Sequence, residues 1–222
     1  SDAFIRLEAP YAHCDIDNEK RELCMEFGTK LPYESVTVVD AVGNSANAAV
    51  AAAKLGLRSA LVSNIGEDEN GARDVEVLHA AQVDTQWVRA HKGMKSNYHY
   101  VLWFESERTI LVKHEKFPYE LPEICSPTWL YLSSIGENSL DFHLEIQKYL
   151  EARPEIKLAF QPGTFQIALG KEKLSTFYEK SEAFFCNLEE AQQILHTEAS
   201  DPKELLSAMH ALGSKIVVIT ND

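Results

Sequence analysis

Glycines and an Asp-Pro step punctuate this chain into regular segments. From residue 47 onward, helix-forming stretches bounded by glycine or Asp-Pro alternate with short apolar and β-branched runs. Residues 45–55 are alanine-rich, and Gly56 stands where a C′ glycine ends a helix. Residues 59–65 (SALVSNI) then predict a strand, 66–71 a turn and 72–81 a helix. The order returns further on, with strands predicted at 129–135, 156–160, 183–186 and 215–220 and helices at 140–150 and 188–196. Asp201-Pro202 supplies a cap with proline at the first position of another helix, which Gly213 closes. Helices alternating with short apolar strands demand a mostly parallel, doubly wound sheet with helices on both faces.

Two regions break this rhythm. Residues 97–104 (NYHYVLWF) and 108–114 (RTILVKH) alternate about a turn at 105–107 and predict a β-hairpin. Residues 3–8 and 35–40 also alternate, with 21–27 a weaker strand. Too few helices separate these strands for a parallel sheet, so they predict a small antiparallel lid over the carboxyl ends of the parallel strands. The expected division is therefore lid segments at 1–41 and 95–116, with the end of a first core strand at 1–2, and an α/β core at 42–94 and 117–222.

Composition narrows the function. Lys plus Arg number 21 against 34 Asp plus Glu, a net charge of −13 that repels nucleic acid and anionic lipid. Cys14, Cys24, Cys125 and Cys186 are scattered without a C-x-x-C pair, which favours reduced structural thiols. The longest apolar run is far below the ~20 residues a membrane span needs, and no signal peptide is evident. A cytoplasmic protein is expected, with no nucleic-acid and no membrane partner.

Chemistry concentrates in two places. Asn47 lies in the first turn of the alanine helix, after Gly43-Asn44-Ser45, where backbone N–H groups converge and glycine lets a ligand approach. Its amide can donate to and accept from one hydroxyl. A purely structural role, with Ser45 as cap and Asn47 solvated, is the competing reading. Asn187 and Glu190 stand three apart at a strand-to-helix junction, where they can share a hydrated cation or form a capping box. The acidic pair in the G-E-D-E-N-G turn, Glu67-Asp68, is read as fixing strand-to-helix geometry.

"GNSANAAVAAAKLG", "GEDENG" and "VDT" at 83–85 together resemble the first signature of the ribokinase-like (PfkB) carbohydrate and nucleoside kinase family. Asn187-Leu188-Glu189-Glu190 is similar to the family's N-x-x-E motif, and residues 216–220 resemble the strand before its nucleotide loop. The resemblance implies that Asp2, Gly43, Asn44 and Asn47 bind acceptor hydroxyls. It also implies that Asn187 and Glu190 organise Mg²⁺, water and nucleotide phosphates, with no direct metal ligand, and that Thr220 opens the loop beside ATP. The implied reaction is ATP-dependent phosphorylation of a hydroxyl, a hydroxymethyl group above all, on a small sugar or nucleoside. The aromatic strand at 98–104 leans toward a nucleoside, and the apolar lid face toward a homodimer formed through the lid.

The sequence also departs from the family. Val42-Gly43 replaces a glycine doublet, and no segment resembles the G-A-G-D motif whose aspartate acts as base. The reading is of a kinase cut at both ends, its core incomplete at the C-terminus and its base beyond Asp222, so that this fragment is inactive. A non-catalytic sugar- or nucleoside-binding or regulatory protein on the same scaffold is the alternative. A dinucleotide oxidoreductase is disfavoured, because no G-x-G-x-x-G links a strand to a helix.

Overall fold

The computed structural model describes residues 1–9, 11–17, 20–124 and 126–220. Two compact units divide the chain, Ser1–Phe117 and Pro118–Asp222.

The first unit contains β1 (Asp2–Leu7), β2 (Ala12–Asp17), β3 (Lys20–Met25), β4 (Tyr33–Val39), α1 (Asn44–Lys54), β5 (Ser63–Gly66), α2 (Glu69–Ala80), β6 (Val88–His91), β7 (His99–Phe104) and β8 (Glu107–Leu111). Its largest sheet has the order β4-β1-β7-β8, while β2-β3 and β5-β6 form separate pairs. The expectation of a wholly antiparallel lid is corrected at one ladder. β1 and β7 run parallel, with Asp2 beside His99 and Phe4 beside Val101, whereas β1-β4 and β7-β8 are antiparallel. A parallel pair needs a long crossover, and everything from β2 to β6 supplies it. The hairpin turn is also tighter than expected, with Phe104 opposite Glu107 and Glu105 at φ 52°.

Local chemistry explains the shifted boundaries. α2 begins at Glu69 because Asp68 caps it, its carboxylate accepting from Gly71 N–H at 2.9 Å. The strand expected at 59–65 shortens to Ser63–Gly66, preceded by an isolated bridge between Ala60 and Asp84, and its partner β6 has too little periodicity to be read from sequence. Gly66 is required by space. A Cβ there would lie 2.5 Å from the backbone of Met94, Lys95 and Ser96. Ala41, Ala49, Leu61, Leu78 and Val83 form this unit's small core.

The second unit contains β9 (Trp129–Leu132), α3 (Leu140–Glu151), β10 (Lys157–Phe160), α4 (Thr164–Leu169), α5 (Ser175–Lys180), β11 (Ser181–Asn187), α6 (Leu188–Leu195), α7 (Pro202–His210) and β12 (Ile216–Thr220). Its strands form one parallel sheet of order β12-β11-β10-β9. At its core Phe160 packs against Phe177, Tyr178 and Phe184, and Tyr178 against Phe184, with ring centroids 5.3–5.7 Å apart in tilted and edge-on pairs. Cys186 is buried, and desolvation together with the Glu190 carboxylate pushes its thiol up to about 12, as suits an inert structural cysteine. α4 and α5 span six residues each, too short for a helical period to show in the sequence.

Candidate functional site

The sequence candidates fall into two groups, one in each unit. In the first unit, Gly43 is the N-cap of α1 at φ 118°, ψ 162°, a conformation open essentially to glycine. Asn44 is therefore the first helical residue, and Ser45 is the second rather than the cap. No side chain caps the helix, and the first intrahelical bond runs from Asn47 N–H to Gly43 O at 2.8 Å. Backbone donors at this end point toward any oxygen brought to it. Gly43, Asn44 and Asn47 are all exposed, and among the described residues the Asn47 amide has no hydrogen-bond partner.

Asp2 reaches the same neighbourhood through β1. The β1-β4 ladder sets it beside Val39, and β4 runs directly into the loop that ends at Gly43. Its Oδ1 lies 3.2 Å from His99 Nδ1, and His99 packs edge-on against His114 at 5.2 Å. His99 Nε2 is buried without a partner among the described residues. Strand alternation puts Tyr100, Leu102 and Phe104 on the face opposite His99 and its register partner Asp2. Those side chains therefore do not supply the stacking surface near Asp2 that would favour a nucleoside.

Two features of this unit, the buried Asp74 and the Arg73–Asp40 pair, escaped the sequence reading, whereas the role of Asp68 was read from its turn. Asp74 of α2 is buried, accepting from Ala41 N–H at 2.6 Å and from Ser1 Oγ at 2.9 Å. It anchors Ala41, itself at φ 54°, two residues before Gly43. Beside it, Arg73 Nε is 3.6 Å from Asp40. Asp68 accepts from Ser96 Oγ at 2.7 Å and Ser96 N–H at 3.0 Å as well as from Gly71, locking the G-x-D turn to the segment before β7. Burial alone would raise the Asp68 pKa, but these hydrogen bonds outweigh it and hold the carboxyl below its ordinary value.

In the second unit, Asn187 ends β11 and Thr220 ends β12 as direct cross-strand partners. Asn187 caps α6. Its Oδ1 accepts from Glu190 N–H at 2.8 Å while Glu190 Oε2 accepts from Asn187 N–H at 2.9 Å, so the capping box is realised in full. The box leaves Glu190 Oε1 and the Asn187 NH₂ group for other partners. A magnesium ion that keeps its waters fits a single carboxylate oxygen of this kind. Asn221 and Asp222 lie outside the described residues.

The carboxyl edge of this sheet also contains residues with no sequence signal. Gln161 follows β10 and accepts from Tyr131 OH at 2.6 Å. Behind it, Gln166 and His143 are fully buried. Gln166 accepts from Gly163 N–H at 2.8 Å and donates to Ser133 O at 3.0 Å and to His143 Nε2 at 3.0 Å. The Nδ1–H of His143 donates to Ser139 O at 2.6 Å. This network ties the loop after β9 to the loop after β10, beside the ends of β11 and β12, where open parallel sheets bind ligands.

Residues 13–222 match the profile described as pfkB family carbohydrate kinase, and the chain belongs to that family. The chain is similar in fold to Arabidopsis thaliana ribokinase complexed with ribose and ATP, with a TM-score of 0.71 and 15% identity over 99% of this chain and 68% of that one. Ribokinase from Cryptococcus neoformans var. grubii serotype A in complex with ADP gives 0.66 and 21%, over 99% and 69%. Halothermothrix orenii fructokinase gives 0.69 and 18%, over 99% and 75%. No curated protein matches by sequence. The fold is thus ribokinase-like, with α/β sheets, helices and a small, largely antiparallel sheet.

Proposed function

We propose that the protein transfers the terminal phosphoryl group of ATP to a hydroxymethyl oxygen of a small sugar. Membership of the carbohydrate-kinase family carries this reading, joined to an exposed Asn47 above the strained Gly43 cap. Asp2 and Asn47 hold acceptor hydroxyls, the carboxylate accepting and the amide doing both. Gly43 and Asn44 offer backbone N–H groups at close approach. Asn187, Glu190 and Thr220 would border the nucleotide phosphates, and Glu190 would hold a magnesium ion there. That ion, when bound, would neutralise phosphate charge, the main demand of phosphoryl transfer.

In the reaction the acceptor oxygen bonds to phosphorus, the bond to the ADP oxygen breaks, and the hydroxyl proton leaves to a base. No described residue is assigned as that base. A sugar is favoured over a nucleoside because the matching family is one of carbohydrate kinases, and because Tyr100 and Phe104 of β7 face away from Asp2 while Trp103, on the Asp2 face, has the Arg6 guanidinium 5.3 Å from its ring. The neighbours complexed with ribose, ATP and ADP support the same choice.

Calorimetry of the protein with pentoses, hexoses and nucleosides, each with and without an ATP analogue and Mg²⁺, tests the reading. A sugar should bind in the wild type and weaken by roughly 1–3 kcal/mol in Asn47→Ala, with nucleotide binding unchanged. Equal sugar affinity in the two proteins would overturn the acceptor assignment. Sugar and nucleotide binding without phosphate transfer by the full-length protein would favour the non-catalytic alternative.

A further inference from the structure

We propose that the β2-β3 ribbon holds a zinc-like divalent transition-metal ion through His13, Asp15 and Cys24. The antiparallel register sets His13 directly opposite Cys24 and Asp15 directly opposite Glu22. Residues two apart on a strand share a face, so all four side chains rise from one side of the ribbon. One ligand atom from each of His13, Asp15 and Cys24 lies within 4.8 Å of the other two. Asp15 Oδ2 is 4.0 Å from His13 Nε2 and 3.9 Å from Cys24 Sγ.

Those separations suit an ion in the middle. Bonds of about 2.0–2.3 Å at tetrahedral angles put neighbouring ligand atoms roughly 3.3–3.8 Å apart. Small rotamer adjustments of exposed side chains close the difference. An imidazole, a thiolate and a carboxylate form the mixed donor set that zinc takes, whereas magnesium and calcium take oxygen alone. Three protein ligands leave a fourth position for water or for the carboxylate of Glu22.

The charge pattern points the same way. Asp15 and Glu22 face each other as like charges, which destabilises a strand pair. A two-stranded ribbon is marginal by itself, and an ion bridging β2 to β3 would staple it. None of the residues involved belongs to the acceptor or nucleotide groups, so the inference stands apart from the proposed kinase activity.

The test uses metal-stripped, reduced protein titrated with Zn²⁺ against a chelating indicator and, in parallel, with Co²⁺ followed by absorption. A single ion per chain is expected, with a thiolate-to-cobalt charge-transfer band. Cys24→Ser should abolish the band, and Cys24→Ser, His13→Ala and Asp15→Asn should each weaken Zn²⁺ roughly tenfold or more. Cys14→Ser, on the opposite face, should change neither. Zinc affinity in Cys24→Ser equal to wild type, or no uptake at micromolar Zn²⁺, would overturn the proposal.

Discussion

Asn187 and Glu190 each accept a hydrogen bond from the other's backbone N–H, at 2.8 and 2.9 Å, so the residues assigned to the phosphates also start a helix. The two roles can be separated. Asn187→Ala should cost about 1 kcal/mol of stability through the lost cap. Asn187→Ser should recover most of that, because serine caps equally well, yet leave nucleotide affinity as low as alanine does. Urea denaturation and nucleotide titration of both variants check this, and full recovery of nucleotide binding by serine would reduce Asn187 to a cap.

Asp74 holds the loop that ends at Gly43 without facing the acceptor group itself. In Asp74→Ala the Ala41 N–H loses a buried carboxylate partner at 2.6 Å, and stability should fall by roughly 1–3 kcal/mol. Sugar affinity should fall with it, because Gly43 and Asn44 follow directly. Gly43→Ala should reproduce the affinity loss by another route, forcing an L-residue to φ 118° at a cost on the order of 1–3 kcal/mol. Thermal unfolding with sugar titration measures both, and unchanged affinity in both would detach this loop from the site.

How far these sites were legible depends on whether their signal is local. Gly43, Asn47, Asn187 and Glu190 lie within single strand-to-helix junctions, where spacing along the chain reports spacing on one helix face. The Asp201-Pro202 start of α7 was legible for the same reason. Asp74 and the His143–Gln166 pair were not, since their partners at Ala41 and Ser133 are 33 residues away. The parallel β1-β7 ladder was hidden likewise, because strand direction depends on the route of the crossover and not on the alternation within either strand. His143 reads in sequence as one more histidine of α3, and only full burial distinguishes it.

That burial predicts a pH dependence. Desolvation lowers the pKa of His143, with the bond to Ser139 O opposing it in part. Above about 6.5, the ordinary histidine value, folded and unfolded chains are both neutral there and no cost arises. As pH falls below it, the unfolded chain takes up a proton that the folded chain resists, so stability falls until the folded pKa is reached. Melting temperatures from pH 7.5 down to 5 should decline, and less steeply in His143→Gln. Parallel declines in the two proteins would place the responsible group elsewhere.

The face of the four-stranded sheet opposite Asp2 carries an exposed apolar row. Val38, Ala3, Tyr100 and Leu111 form one register row across β4, β1, β7 and β8, and Ile5 sets Val36 beside it. Val36, Val38, Tyr100 and Leu111 are each 46–51% exposed, an apolar row of the kind a second subunit covers. Both edge strands are exposed along their whole length. A homodimer through this face should therefore form at micromolar concentration. Val38→Lys should weaken it tenfold or more, because a two-fold interface loses each contact twice. Asp2 and His99 lie on the other face, so sugar affinity per subunit should change far less than dimer affinity. Sedimentation equilibrium of wild type and variant decides the matter, and a monomeric wild type would overturn the homodimer.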